Sequence, residues 1–376
     1  MLKISTAPHI NSPQDTRSIM LDVIIALLPA LAAASLIFGL GVLIVVLTAV
    51  AGCVAFEYLT CRYVLKTAPT TGNLSAVVTG LLLAFNLPSN MPVWMTLIGC
   101  FVAVVIAKMA FGGLGKNVFN PALVGRVFLF ISFPVQMTSW PKPDFLNFLN
   151  ADAETGATTL GILKHIDAES SATKLTGSLS ELPDYWQMFV GYTGGCIGEV
   201  SALALLLGFA WLLWRRIITW HIPFYYVATV FIFTSIIWLH TGNIQVEPIT
   251  QLLSGGLLLG AIFMATDYVT TPMSRKGQIV FAVGCGVLTF VIRRYSSYPE
   301  GVSFAILIMN TLVWYLDRAC KPVRFGGKQD KKRQNKQNIS PASAAEIPSE
   351  HKQTQRAPKE EQAEQKNGSI PSDAIE

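Results

Sequence analysis

Apolar residues in this chain gather into about ten long runs that short polar stretches separate. The runs lie at about 20–38, 40–58, 74–88, 93–111, 120–136, 197–214, 222–239, 250–267, 278–293 and 301–318. Most approach the roughly 20 residues that a helix needs to cross a bilayer. The third run is short and ends at NLPSNMP, and the stretch before the sixth is glycine-rich, so either could enter the membrane only partway. The pattern predicts an all-α polytopic membrane protein with about ten transmembrane helices.

The composition agrees with a membrane protein, because 52% of the 376 residues are hydrophobic and only 14% are charged. Soluble domains carry about 25% charged residues. Much of the charge lies in residues 325–376, a polar tail that we expect to be disordered because it has little apolar surface to bury. The net charge of +5 therefore gives no indication of nucleic-acid binding. The six cysteines form no C-x-x-C pair and are interpreted as small buried apolar residues.

The distribution of Lys and Arg predicts that both termini are cytoplasmic. With that orientation the cytoplasmic side holds Lys3, Arg17, Arg62, Lys66, Lys116, Arg215, Arg216, Arg275, Lys276, Lys321 and Arg324, with Lys108 and Arg126 near the same face. The opposite side holds Lys142, Lys164, Lys174, Arg293 and Arg294. The predicted organisation is a cytoplasmic N-terminus (1–19), a first membrane repeat (20–136), an external periplasmic loop (137–186), a second membrane repeat (187–324) and a cytoplasmic tail (325–376).

An internal repeat is indicated by three pairs of similar passages in the same order. TGLLLAFNLPSNMP is similar to GGLLLGAIFMATDYVTTP, VAVVIAKMAFGG to CGVLTFVIRRYSSY, and KNVFNPALVGRVFLF to PEGVSFAILIMNTLVW. Because each half would cross the membrane an odd number of times, the two five-helix repeats would be inverted. Inverted repeats place a site or pathway near the midplane.

Several polar residues lie within or near the ends of the apolar runs, where ionisable groups are costly and are therefore functional candidates. They are Glu57, Asn86, Lys108, Asn117, Asn120, Glu199, Asp267 and Asn310. Glu199 is the strongest candidate for an ion pathway, since the glycines of GGCIGEV allow another backbone segment to approach this one closely. The alternative is a helix-end residue that faces headgroups or pairs internally. Metalloprotease, nucleophile-elbow and Rossmann motifs are absent from the sequence.

Several passages together resemble one family. They are TRSIMLDVIIALLPAL, AKMAFGGLGKNVFNPALVGRVFLFISFPVQMTSW, GCIGEVSALALLLG, WHIPF, LLSGGLLLGAIFMATDYVTTP and YPEGVSFAILIMN. Over about residues 7–325 the chain resembles the D subunit of the Rnf (Rsx) ion-translocating electron-transport complex, a relative of the B subunit of the sodium-pumping NADH:quinone reductase. The resemblance implies a bacterial inner-membrane protein that carries electrons within that complex and couples their transfer to Na⁺ or H⁺ movement.

The resemblance also implies a covalent FMN, bound through its phosphate to a threonine in a D-x-x-[ST]-x-A-T motif. That motif is matched in full by Asp152, Thr155, Gly156, Ala157 and Thr158, so the attachment residue would be Thr158. A phosphoester needs an aliphatic hydroxyl in an accessible segment, and the small residues before it would leave room for a modifying enzyme. Thr159 is the competing hydroxyl.

Further expectations follow from the same resemblance. A second, non-covalent flavin (riboflavin) would lie among the helices. Partners would be the iron–sulfur and flavin subunits of the complex, a flavin transferase that matures the protein, and membrane lipid. Two other classes of function stay open: a stand-alone secondary transporter or channel, which the repeat and the midplane polar residues favour, and a purely structural membrane subunit.

Overall fold

The structure is a computed structural model, which describes residues 15–141, 143, 155–156, 158–168, 182–199, 201–242, 246–296, 298 and 300–321. The predicted disordered tail at 325–376 and most of the N-terminal segment 1–19 lie outside the described residues. The described part of the chain is mostly helical, so the predicted all-α membrane fold is confirmed.

The first half of the chain contains five apolar helical segments. They are α1 (Thr16–Phe38), α2 (Leu40–Leu59, continued by a π-helical turn Thr60–Val64), α3 (Ser75–Phe85), α4 (Val93–Phe101, continued by the π-helical Val102–Met109) and α5 (Pro121–Ser132). Asp15 caps α1, and Asn120 caps α5 by accepting a hydrogen bond from the amide of Ala122. Gly39, at φ 68°, separates α1 from α2. These boundaries agree with the predicted runs to within a few residues.

Short elements lie within and beside the described part of the predicted external loop, residues 137–186. They are α6 (Pro134–Met137), the two-residue strands β1 (Trp140–Pro141) and β2 (Thr155–Gly156), α7 (Thr159–Ala168) and α8 (Tyr185–Val190). The strands pair in antiparallel register, with Trp140 opposite Gly156. The described part of the loop is thus more ordered than a plain polar connection.

The second half again contains five apolar segments. They are α9 (Ala202–Trp214), α10 (His221–Thr241), the interrupted pair α11 (Pro248–Leu253) and α12 (Leu257–Leu259, continued by the π-helical Gly260–Met264), α13 (Arg275–Tyr295) and α14 (Val302–Ala319). Among the described helices, α1, α2, α10, α13 and α14 are long and apolar enough to cross a bilayer. The helix of the sixth predicted run begins at Ala202, later than expected, because residues 191–199 form a loop. The eighth is two helices, although one was expected.

Helix contacts recur in the two halves. In the first half α2 packs on α3 and α4, and α4 packs on α5; in the second, α10 packs on α11 and α13, and α13 packs on α14. α1 contacts α9, and α5 contacts α14, so corresponding helices also meet across the halves. This is the arrangement expected of a duplicated five-helix unit. The opposite orientation of the two units in the membrane stays a prediction.

Glycines allow the closest helix contacts. A Cβ atom at Gly208 of α9 would lie 2.2 Å from the carbonyl oxygen of Ala26 on α1, and one at Gly80 of α3 would lie 2.8 Å from that of Ala49 on α2. Lipid supplies no hydrophobic driving force for helix association, so membrane helices rely on small residues and close packing. A larger side chain at either position would separate the helices.

Candidate functional site

Arg126 on α5 is the centre of a buried polar cluster. Its Nη1 atom donates hydrogen bonds of 2.8 Å to Oδ1 of Asn86, at the end of α3, and of 2.8 Å to Oγ of Ser303, in the first turn of α14. Its Nη2 atom donates to a carboxylate oxygen of Glu300 and, at 3.6 Å, to Sγ of Cys196. The guanidinium therefore joins α3, α5, the start of α14 and the loop before α9.

Glu199 is the second carboxylate beside this arginine. Its Oε1 atom lies 3.8 Å from Nη2 of Arg126, and its side chain is 6% exposed, against 12% for that of Glu300. That oxygen accepts no hydrogen bond from the residues that the structure describes. We define the Arg126 cluster as Asn86, Arg126, Cys196, Glu199, Glu300 and Ser303. In it, two carboxylates share one guanidinium, and Glu199 has the weaker contact.

The loop that carries Glu199 is held against the end of α3. The amide of Ile197 donates to the carbonyl of Leu87 at 3.1 Å, and the amide of Gly198 donates to that of Phe85 at 2.7 Å. The last carbonyls of a helix have no partner within the helix, so the loop satisfies polar groups that lipid could not. A Cβ atom at position 198 would lie 2.7 Å from Cβ of Phe85. Glycine is required for this approach.

The interruption between α11 and α12 forms another wall of the cluster. Gly255 has φ 69°, a left-handed conformation that favours glycine. Arg293 of α13 donates to the carbonyls of Gln251 at 2.6 Å and Ser254 at 3.1 Å, and so stabilises the open end of α11. On the other side of the break, a Cβ atom at Gly256 would lie 3.1 Å from Oε1 of Glu199.

A second buried ion pair lies in the first half of the chain. Nζ of Lys108 is 2.5 Å from Oε2 of Glu57 and donates to Oγ of Ser75 at 2.8 Å. The hydroxyl of Thr70 donates to the other Glu57 carboxylate oxygen at 2.7 Å. The two charged side chains are 4% and 0% exposed. Lys108 makes a salt bridge with one carboxylate among the described residues, whereas Arg126 makes salt bridges with two.

The predicted polar residues Asn117, Asn120 and Asp267 line one cavity of about 100 Å³, together with Lys108. Nδ2 of Asn120 donates to the carbonyl of Met264 at 3.3 Å. Asn310 contacts Asn120 beside this cavity. With its amide oriented to satisfy its neighbours, its oxygen accepts from the amide of Asn120 at 3.2 Å and its nitrogen donates to the carbonyls of Thr270 and Ile306. From the sequence, these residues shared only a position within or near an apolar run. The fold places them around one cavity.

Thr158 immediately precedes α7, between β2 and the helix. Its Oγ1 atom accepts a 3.0 Å hydrogen bond from the amide of Gly161, so it caps the helix. It lines a pocket of about 10 Å³ whose walls also include Thr193, Glu199 and Glu300. The candidate attachment residue and the candidate ion-pathway residue therefore face one small space.

Some expectations for this region need correction. Thr158 is only 7% exposed, although its motif suggested an accessible hydroxyl; Thr159 is 5% exposed. Both are covered because α7 packs its apolar face inward, with Leu163 1% exposed. Thr155 and Gly156 form β2, whereas Asp152 and Ala157 lie outside the described residues.

The charges used for topology need a similar correction. Lys108, Arg126 and Arg293 are buried in polar contacts within the protein, so they carry no information about which loops are cytoplasmic. The positive-inside pattern depends on the remaining basic residues. The orientation itself stays a prediction.

A model of the NQR2, RnfD, RnfE family matches residues 3–326 of the chain. The chain belongs to this family.

Relatives within the family are similar over most of their length. The D subunit of the Na⁺-translocating ferredoxin:NAD⁺ oxidoreductase complex of Acetobacterium woodii is 44% identical over 333 residues, which cover 88% of this chain and 97% of the relative. The D subunit of the proton-translocating ferredoxin:NAD⁺ oxidoreductase complex of Clostridium ljungdahlii is 42% identical, over 87% and 96% of the two chains. The D subunit of an ion-translocating oxidoreductase complex of Escherichia coli is 36% identical, over 88% and 99%.

The N-terminus of α7 at Thr158 suits the phosphate of the flavin that the family resemblance implies, although the carboxylates of Glu199 and Glu300 line the adjoining pocket. A helix N-terminus presents free amides and a partial positive charge, and Thr158 stands at that end of α7. Nζ of Lys164 donates to the carbonyls of Ser296 and Tyr298, which ties α7 to the segment after α13. The adjoining pocket holds about one water molecule, so an isoalloxazine ring would lie outside it.

Glu199 was identifiable as a candidate from the sequence, whereas its partners were not singled out. Arg126 was counted only as a topology charge, and Glu300 was quoted within YPEGVSFAILIMN without a role. A signal was available, since Arg126 lies within the apolar run 120–136 and Glu300 comes directly before the run 301–318. Arg126, Glu199 and Glu300 are far apart along the chain, and only the fold brings their side chains into contact.

Proposed function

We propose that the chain is the membrane-embedded D subunit of an Rnf-type ion-translocating ferredoxin:NAD⁺ oxidoreductase complex, in which electron transfer is coupled to Na⁺ or H⁺ movement. The observation that carries this proposal is near-full-length identity of 44% and 42% to the corresponding subunits of two such complexes. The chain has no motif of an independent catalyst. It would act as one redox component of a translocase.

FMN would be attached through its phosphate to Thr158, within the motif of Asp152, Thr155, Gly156 and Ala157. The bound flavin would supply one- and two-electron transfer. The chain's own residues would fix its position: Thr158 provides the hydroxyl, and α7 offers its amide end to the phosphate. Burial of Thr158 implies that a flavin transferase acts before α7 packs, or displaces it.

Ion movement would involve Glu199. Its buried carboxylate borders the pocket of Thr158, so a change of charge on a group attached there would be felt by Glu199 in a medium of low dielectric constant. This proximity supports a coupling role over the alternative of a headgroup-facing helix end. The buried contact with Arg126 also supports internal pairing, and the two roles are compatible.

A second, non-covalent flavin such as riboflavin would bind among the helices. The cavity of about 100 Å³ beside Lys108, Asn117, Asn120 and Asp267 supports this proposal, because its polar groups could donate to and accept from a flavin's ring edge. The cavity is smaller than a whole flavin, so part of the ligand would extend from its mouth.

The partners would be the iron–sulfur and flavin subunits of the complex, a flavin transferase and membrane lipid. The location would be the bacterial inner membrane, with both termini cytoplasmic and the segment 137–186 periplasmic. The basic residues outside the buried clusters support that orientation.

The test of the flavin proposal is in-gel fluorescence under ultraviolet light, after co-expression with a flavin transferase. Wild-type protein and the matched control Thr159→Ala should fluoresce on a denaturing gel, and Thr158→Ala should be dark. A dark wild-type band would reject covalent flavin. If fluorescence is lost only in Thr159→Ala, the flavin is attached to the hydroxyl of Thr159 and not to that of Thr158.

A stand-alone secondary transporter is the second candidate, supported by the repeated helix contacts and the buried ionisable residues. Purification from the native membrane separates the two. A component of a redox complex should co-purify with iron–sulfur proteins in fixed proportion. A transporter, or a channel, should catalyse ion flux alone in liposomes without an electron donor, and a purely structural subunit should do neither alone.

A further inference from the structure

The Arg126 cluster carries one more acidic group than basic groups. Glu199 and Glu300 both lie against Arg126. Arg293 on α13 interacts electrostatically with both carboxylates. Its guanidinium, however, donates to the carbonyls of Gln251 and Ser254, and it makes no salt bridge with either carboxylate among the described residues. A buried carboxylate without a cation in direct contact is costly, so a proton or a bound cation would stabilise the cluster.

The geometry shows where a bound cation would sit. The Sγ atom of Cys196 and one carboxylate oxygen each from Glu199 and Glu300 all lie within 4.8 Å of one another. A hard cation such as Na⁺ or Ca²⁺ binds oxygen at about 2.4 Å, so an ion between the two carboxylates would reach both. Independently, Oε1 of Glu199 is buried and accepts no hydrogen bond from a described residue.

Glycines keep the space beside Glu199 open. A Cβ atom at Gly195 would lie 3.0 Å from Oε2 of Glu199, and one at Gly256 would lie 3.1 Å from Oε1. A side chain at either position would occupy space beside the carboxylate, and glycine at both positions leaves that space free.

We propose that Glu199 and Glu300 form a binding site for Na⁺, with Arg126 neutralising one of the two carboxylates and the ion neutralising the other. A monovalent ion fits because the excess charge is a single negative one. Arg126 is a positioning residue: its bonds to Asn86 and Ser303 leave it fixed, so that the ion and not the guanidinium exchanges. The part of this site in ion translocation rests on the proposed function; its ability to bind Na⁺ does not.

The test uses the full-length chain, purified in detergent and produced without a flavin transferase. The melting temperature is measured while NaCl replaces choline chloride at constant ionic strength, and ²²Na⁺ binding is measured directly. Ligands that bind the folded state raise its stability, so wild-type protein should melt at a higher temperature as Na⁺ increases. Glu199→Gln and Glu300→Gln should each lose the rise and bind Na⁺ at least about tenfold more weakly, since each removes a charged ligand.

A third variant leaves every charge in place. Gly256→Ala puts a methyl group beside Glu199 and should also weaken Na⁺ binding, whereas Gly72→Ala, with no atom within 4 Å of its added Cβ, should not. Asp184→Asn is the charge-matched control, because asparagine can still cap α8. It should retain the full response.

A wild-type melting temperature that does not depend on Na⁺, or depends on it equally in Glu199→Gln, would overturn the proposal. A melting temperature that depends on pH but not on Na⁺ would also overturn the proposal, because a proton would then neutralise the excess charge. Because no flavin is present, failure of the Thr158 proposal would leave these results unchanged.

Discussion

The buried ion pair of Lys108 and Glu57 offers the clearest stability prediction. Replacing Lys108 with Met keeps an unbranched side chain of similar length in the α4 segment but removes the ammonium group. Among the described residues, the Glu57 carboxylate would then remain buried with the hydroxyl of Thr70 as its one hydrogen-bond donor. Ser75 would lose its hydrogen bond as well.

The geometry sets the size of the effect. At 2.5 Å and an effective dielectric constant of about 20, the attraction between the two charges is about 7 kcal/mol. Part of that attraction offsets the desolvation of both groups, which are 4% and 0% exposed. Removing one partner of a buried pair typically costs about 3–5 kcal/mol, and we expect Lys108→Met to fall in that range.

The assay is unfolding of the purified chain by SDS in mixed micelles, followed by circular dichroism. The matched variant is Lys108→Met combined with Glu57→Gln, which removes both charges and lets the new amide still accept from Thr70. It should recover at least half of the lost stability, because no buried charge is left unpaired. If Lys108→Met costs under about 1 kcal/mol, or the double variant is no more stable than the single one, the pair is not desolvated as its geometry indicates.

Three further outcomes are expected. Gly208→Ala should lower the melting temperature, since its Cβ would lie 2.2 Å from a carbonyl of α1, whereas Gly72→Ala should not; equal melting temperatures would argue against close α1–α9 packing. The hydrogen bond to Glu247 raises the pKa of Tyr185, so this pair should add stability below about pH 10 that disappears as the pH rises through the folded-state pKa; Tyr185→Phe should abolish that pH-dependent part in a pH series of unfolding curves. In the reconstituted complex, Glu199→Gln should lower ion uptake per electron more than flavin fluorescence, and unchanged uptake would remove Glu199 from the pathway.

Helix positions were largely predictable from the sequence, and the exceptions share one cause. Hydropathy locates an apolar run, because lipid requires apolar side chains along the whole crossing. It does not show whether the backbone is continuous. The run near 250–267 is broken at Ser254 and Gly255, and the break is tolerated because Arg293 binds the freed carbonyls. That partner lies in another helix and could not be assigned from local sequence.

The candidate site was predictable in part. Glu199 attracted attention because an acid beside an apolar run is costly. Its proposed role depends on its contacts with Arg126 and Glu300, and only the fold brings these three side chains together. Thr158 was assigned through a resemblance, and its capping of α7 and its burial were visible only in three dimensions.

The amino-acid order alone is enough to establish a helical membrane protein, to locate most of its helices and to indicate its family. These properties follow from side-chain polarity and from local motifs, which are carried by neighbouring residues. Which charges are balanced depends instead on tertiary contacts. Among the described residues, Lys108 makes a salt bridge with one acid and Arg126 with two, and that difference arises from contacts between residues distant in the chain. The excess carboxylate of Glu199 is therefore a property of the fold, because burial makes its charge costly and only packing decides which cation lies near it.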